Sequence, residues 1–203
     1  KVSRKIKIQN SIFCTYLDQA INLSNTMLNG VDSIIYDNTL SQVQMLSNEE
    51  YASVIGDQIT IKYTPNEFVS LKTTYTFLNS QSSSGNAIRH ITPNFGGTTL
   101  LMNYKKYNLM VYSIYNQGFN NNQFSKIEKN KPQFYLTDRN GLAYSPSWLT
   151  FNIKLGYYLN TKTIPYPIKI NFGVENIMDK RYRPYSSRLT APGRNIVVAL
   201  QIK

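Results

Sequence analysis

The sequence predicts an all-β fold, an antiparallel up-and-down transmembrane β-barrel segment of about eight strands. Three observations lead there. Several stretches alternate apolar and polar residues strictly, as a strand with oil on one side and water on the other must. Short and long connections between these stretches also alternate along the chain. Finally, no stretch approaches the roughly 18–20 consecutive apolar residues of a membrane-spanning helix. The mean hydropathy of −0.35 carries little weight here, because a barrel strand hides half of its residues from a hydropathy average.

The expected strands cover 6–21, 52–63, 68–79, 96–105, 107–117, 148–159, 166–177 and 195–202. Most are near the 9–11 residues that cross a bilayer at a tilt, and some are longer. In 52–63, Ile59, Ile61 and Tyr63 oppose Gln58, Thr60 and Lys62. In 68–79, Val69, Leu71, Thr73, Tyr75 and Phe77 oppose Ser70, Lys72, Thr74 and Thr76. In 148–159, Leu149, Phe151, Ile153, Leu155 and Tyr157 share a face, opposite Thr150, Asn152, Lys154 and Gly156. The last two strands are the cleanest. Ile168, Ile170, Phe172 and Val174 alternate with Lys169, Asn171, Gly173 and Glu175, and Ile196, Val198, Leu200 and Ile202 alternate with Asn195, Val197, Ala199 and Gln201. The first strand and 107–117 are ambiguous in phase.

Short connections follow the second, fourth and sixth strands: Thr64 to Glu67, Lys105-Lys106, and Asn160 to Pro165. Long ones, roughly 22–51, 80–95, 118–147 and 178–194, follow the others. A transmembrane barrel sorts its turns to the periplasm and its loops to the outside in this way; a two-sheet soluble sandwich has no reason to. The long loops are polar and Asn- and Gly-rich, as in 79–86 and 116–122. Loop 118–147 also holds Phe124, Phe134, Tyr135 and Tyr144, which form either a local core or a ligand-contacting surface. No repeat or domain boundary interrupts the chain.

The net charge is +11, but the Lys and Arg are scattered, with no basic helix or zinc pattern, so nucleic acid is not expected as a partner. A cationic lumen or contact with anionic headgroups is an alternative use of the charge. Sixteen Tyr and nine Phe against one Trp suit strands and the aromatic girdles of a membrane interface. Cys14 is the only cysteine, which rules out an internal disulfide and argues against a thiolate metal site. The opening Lys1-Val2-Ser3-Arg4-Lys5 lacks the apolar run of a signal peptide, so an exported protein would begin here as a mature form or a fragment. No Gly-rich phosphate loop, zinc-binding His pattern or G-x-S-x-G element is present, and no enzyme activity is expected.

The segment Asn171-Phe172-Gly173-Val174-Glu175-Asn176-Ile177-Met178-Asp179-Lys180-Arg181-Tyr182-Arg183-Pro184-Tyr185 resembles the end of TonB-dependent outer-membrane receptors. So does Ala191-Pro192-Gly193-Arg194-Asn195 with the terminal strand. That family closes with an N-(L/I)-x-D element, an aromatic-rich loop, a Pro-Gly-Arg turn and a last strand, in this order. His90-Ile91-Thr92-Pro93-Asn94-Phe95-Gly96-Gly97 is similar to the I-x-P-x-x-G lead-in to an earlier strand. The Tyr182-Arg183-Pro184-Tyr185-Ser186 wording most resembles the haem/haemoglobin and siderophore branches. The family barrel has about 22 strands around a plug, preceded by a TonB-binding box. The resemblance therefore implies that 1–203 is the C-terminal portion of such a barrel, without plug, box or N-terminal strands. The family usually ends in an aromatic residue, whereas this chain ends Gln201-Ile202-Lys203.

By this resemblance the parent protein sits in the bacterial outer membrane and imports an iron compound such as haem or a ferric siderophore, which would be cargo rather than a resident cofactor. Its expected partners are outer-membrane lipid, the rest of the receptor with its plug, TonB through the N-terminal region and a surface lipoprotein. His90, the only histidine, is either a rim contact to ligand or an ordinary loop residue beside Arg89. Arg181, Tyr182, Arg183, Tyr185 and Arg188 are candidate contacts to carboxylate-rich ligands, or else bond across loops, as Arg194 beside them also could. Asn176 and Asp179 read as strand-end and turn residues. Lys72, Lys154, Lys169 and Glu175 are expected to face the lumen, because charges on the lipid face are costly. No metal ligands are expected. The rival architectures are a complete eight-stranded barrel with a structural, adhesion or lipid-modifying role, and a soluble β-sandwich.

Overall fold

The computed structural model describes residues 5–85, 87–129, 131, 134–159, 166 and 168–202. The expected short turn at 160–165, Asn86 and Lys203 lie outside them. The strands, in chain order, are β1 (Ile6–Asn25), β2 (Ser33–Tyr36), β3 (Thr39–Gln42), β4 (Gln44–Tyr63), β5 (Val69–Ser82), β6 (Phe95–Tyr104), β7 (Tyr107–Asn116), β8 (Leu136–Thr137), β9 (Ala143–Tyr144), β10 (Trp148–Leu159), β11 (Ile168–Glu175) and β12 (Asn195–Ile202). No described helix is long and apolar enough to cross a membrane.

Eight strands form one antiparallel sheet in the order β1-β4-β5-β6-β7-β10-β11-β12. Each long strand pairs with its neighbour in the chain, so the sheet is an up-and-down wall. Its two edges, β1 and β12, do not pair with each other. The eight-stranded barrel is therefore not closed among the described residues, and that rival is corrected to an open arc. The sandwich is also corrected, because the eight strands make one sheet and its apolar face is uncovered.

Register resolves the two ambiguous phases. Val174 lies opposite Ile153 and Ile196, and Phe172 opposite Leu155 and Val198. Continuing across the sheet, Ile153 pairs with Val111, Val111 with Leu100 and Leu100 with Leu71. On β1, Ile6 and Ile8 join this face through Tyr63 and Ile61. No other described element covers this face: its central residues Leu100, Val111, Ile153 and Val174 are half-buried among their neighbours, and toward the edges Ile12 is 74 % and Val198 70 % accessible. Lys72, Lys154, Lys169 and Glu175 all fall on the opposite, polar face by the same register.

Two aromatic belts border the apolar face. Tyr104, Tyr107 and Tyr157 lie side by side at the short-turn end, with Tyr63 in the same belt. Tyr16 stacks on Tyr51, and Tyr75 on Tyr115, toward the long-loop end. Eight to twelve residues separate the belts along β7 and β4, a height of about 20–30 Å for tilted strands. Gly96 sits between Tyr75 and Tyr115 in the register; a Cβ there would come within 2.8 Å of the Tyr75 ring, so glycine lets the two rings stack.

The turns explain themselves locally. The Asn66 carboxamide accepts from the backbone N–H groups of Phe68 and Val69, both at 3.0 Å, an Asn-capped turn. The connection expected over 22–51 is largely structured. β1 and β4 extend to Asn25 and Gln44 as one long hairpin. Above them, Leu28 and Val31 flank Asn29-Gly30, and Asp37-Asn38 joins β2 to β3. Both dipeptides take positive φ at each residue, which the tight turns matching strand twist require.

Candidate ligand site on the long-loop rim

The rim begins where β7 ends. Phe119 and Ser145 exchange backbone hydrogen bonds at 2.9 Å, closing the loop between β7 and β10. Two single-turn 3-10 helices, Asn121–Gln123 and Lys126–Glu128, and the β8–β9 hairpin fill it. Phe124, Tyr135 and Ala143 are buried together, with Phe119, Phe134 and Tyr185 packed against them. Of the two uses open to these loop aromatics, a local core is the one observed for Phe124 and Tyr135.

Glu128 lies at the centre, only 1 % exposed. Its carboxylate accepts from the Tyr135 hydroxyl at 3.2 Å and the Tyr185 hydroxyl at 3.0 Å. His90 Nδ1 lies 3.6 Å from it and 3.1 Å from Ser186 Oγ. Burial, then the neighbouring Glu128 charge, pushes both phenols above the ordinary tyrosine range. Lys131 is held below the ordinary lysine value by burial first and then by Arg89; Glu128 opposes this, and Arg188 adds to it. Arg89 Nε is buried without a hydrogen-bond partner. His90 itself is more than half exposed and adopts φ 63°.

A second group borders this core. Phe134, Pro146, Arg181, Tyr182, Arg183 and Thr190 line a groove of about 290 Å³. Tyr182 stacks on Trp148 with ring centroids 4.2 Å apart, and Arg188 lies over the Phe134 ring at 5.0 Å. Of the expected contacts, His90, Tyr185 and Arg188 gather around Glu128 and Phe134, and Arg181, Tyr182 and Arg183 around the groove. Tyr185 points into the loop core. Arg181, Arg188 and His90 are exposed. An apolar floor edged by guanidinium groups can hold a flat or aromatic anion. Glu128, Lys131 and Trp148 were not singled out by the sequence.

Asn176 and Asp179 act as strand-end and turn residues, as expected. Asn176 is buried at φ 50°. Its Nδ2 donates to the carbonyls of Lys180 at 2.9 Å and Pro192 at 3.2 Å, while its Oδ1 accepts from Lys180 N–H at 2.9 Å. Asp179 Oδ1 accepts from Arg194 N–H at 2.8 Å, and Arg194 Nε donates to the Ile177 carbonyl at 3.0 Å. Arg194 thus belongs to the joint of the last loop. Among the described residues no group of three or more His, Cys, Asp or Glu could hold a metal ion.

No family model and no curated protein matches the chain. Solved structures do. The copper transporter OprC is 14 % identical with a TM-score of 0.70, over 98 % of this chain and 29 % of its own. The FrpB iron transporter of Neisseria meningitidis is 13 % identical with a TM-score of 0.65, and the siderophore receptor PirA of Acinetobacter baumannii is 17 % identical with a TM-score of 0.64, both with the same coverage. The chain spans less than a third of each. At these identities the likeness establishes the fold, a segment of an antiparallel up-and-down β-barrel wall.

Proposed function

We propose that residues 1–203 are the C-terminal part of a TonB-dependent outer-membrane receptor barrel that imports an iron compound such as haem or a ferric siderophore. The observation that carries this is the eight-strand arc with two unpaired edges and an exposed apolar face. Unpaired strand edges cannot face hydrocarbon, because their backbone groups would find no partners there. Further strands of the same wall would satisfy β1 and β12. The superposition of nearly the whole arc on 29 % of three transporters and receptors supports the same reading. So does the wording of the last loop.

In this reading the apolar face meets outer-membrane lipid between the two aromatic belts. The polar face, with Lys72, Lys154, Lys169 and Glu175, lines the lumen and meets the plug. His90, Arg181, Arg183 and Arg188 meet the ligand at the outer rim, and Tyr182 and Tyr185 set the shape beneath them. Coupling to TonB belongs to the remainder of the receptor, and a surface lipoprotein is a further partner.

The test is growth. Cells lacking the protein that carries this chain are expected to fail when haem or one ferric siderophore is the sole iron source. The intact protein should restore growth, and an R181Q/R183Q/R188Q variant should restore it poorly. Unchanged growth of the deletion strain on haem and on a panel of ferric siderophores would overturn the reading.

A further inference from the structure

Lys7, Lys62 and Lys72 stand in one row of the sheet. Lys7 pairs with Lys62 across β1 and β4, and Lys62 with Lys72 across β4 and β5. Neighbouring strands are about 4.8 Å apart, so the row is roughly 10 Å long. All three are on the polar face, where with Gln9, Gln58 and Thr60 they border an open cavity of about 400 Å³. Like charges directly opposite one another disfavour a sheet. Relief within the chain would need a carboxylate.

The chain has eleven acidic residues, and every one is among the described residues. None forms an ion pair with this row. Lys154, on the same face, differs: its ammonium is 3.1 Å from Glu175, and Tyr112 also donates to that carboxylate at 3.3 Å. The wall compensates one lysine internally and leaves three consecutive ones uncompensated.

We propose that the Lys7–Lys62–Lys72 row is a docking surface for an acidic polypeptide segment held against the polar face of the wall. This rests on the receptor reading, in which that face encloses more of the same protein. A compact anion reaches one adjacent pair of ammonium groups. An extended segment with acidic side chains two residues apart, about 7 Å, reaches all three. The flanking amide and hydroxyl side chains can bond its backbone.

The test uses the intact protein that carries this chain, in detergent at low ionic strength. A carbodiimide activates carboxylates and joins them to amines in contact, forming an amide as the urea leaves. At least two of the three lysines are expected to link to Asp or Glu outside residues 5–202, alongside a Lys154–Glu175 link as internal control. The three should also acetylate several-fold more slowly than exposed Lys106. Acetylation at the Lys106 rate, with no link except the control, overturns the proposal. Protection that appears only when inorganic phosphate is added overturns it too, in favour of a small anion. Cysteines introduced along β1 and β12 report separately on the receptor reading. Disulfide pairing of both edges to other strands, with the lysines free, would sink this inference alone.

Discussion

The hydroxyl of Tyr185 donates to Glu128 Oε2 at 3.0 Å, across 57 residues of sequence. The Tyr135 hydroxyl donates to the other oxygen of the same carboxylate at 3.2 Å. One buried acid therefore ties the β7–β10 loop to the β11–β12 loop, and the candidate rim residue His90 lies 3.6 Å from it.

Removing that acceptor should loosen both loops. Glu128→Ala takes from two phenols the carboxylate that accepts from both and leaves them to bond each other, a cost of roughly 1–3 kcal/mol in all. Amides in 119–129, 134–145 and 182–187 are expected to exchange with solvent many-fold faster, while those of β10 and β11 keep their protection. Glu128→Gln retains an acceptor and should recover much of the effect. Equal exchange in wild type and Glu128→Ala would show that the carboxylate does not hold the loops.

The same pair makes the rim sensitive to alkali. Tyr135 and Tyr185 are pushed above the ordinary tyrosine value by burial and by Glu128. The unfolded loop would ionise near pH 10. Above that pH the folded state binds more protons than the open one, so its advantage is present below about pH 10 and is lost as pH rises. Absorbance at 295 nm should show late tyrosine ionisation coinciding with loss of loop protection, with one late step missing in Tyr185→Phe. Ionisation of every tyrosine near pH 10 with the loops still closed would contradict this.

What could be read from the sequence follows from where each signal originates. The strands are set by alternation, a local property, and all eight were found. Their phase at β1 and β7 was hidden because Asn10, Cys14, Ser113 and Tyr115 dilute the apolar face, and only cross-strand register restores it. The last four residues of β1 and the first eight of β4 lie beyond the alternating stretches, because alternation fades where both faces meet water. Asn29-Gly30, a tight-turn pair, was the overlooked clue. Glu128 could not be found this way. It sits in Lys126-Ile127-Glu128-Lys129, which reads as solvated loop, and its burial depends on Tyr185 from another loop. The His90–Ser186 contact spans 96 residues and is equally silent in the sequence, whereas Asn176 and Asp179 were legible as strand-end and turn residues from their type and place alone, although they bond as far as Pro192 and Arg194.

The last loop should depend on one side chain. Asn176 makes three bonds through its carboxamide, and its backbone N–H donates to Asn152 Oδ1 at 2.8 Å. Asn176→Ala removes the first three and keeps a positive φ that alanine tolerates poorly. A loss of about 2–4 kcal/mol is expected, read as a lower temperature at which the barrel loses its folded electrophoretic mobility. Asn176→Gly relieves the backbone but not the lost bonds, and should fall between. A variant as stable as wild type would mean that the joint is held by Asp179 and Arg194 instead.

The two faces of the wall predict opposite responses to charge. Phe172 pairs with Leu155 and Val198 on the exposed apolar face, and Ile153 lies one step along the same face. An arginine near the bilayer midplane there costs about 2–4 kcal/mol, so Ile153→Arg and Phe172→Arg should each block assembly in the outer membrane. Lys154 is on the other face, and its pair with Glu175 is more than a third exposed on both sides. Such a pair is worth about 1 kcal/mol or less, so Lys154→Gln should assemble normally. Protease resistance of the folded protein in isolated membranes measures all three. If the three variants assemble equally well, the apolar face does not contact lipid, and the wall must be covered there by something else.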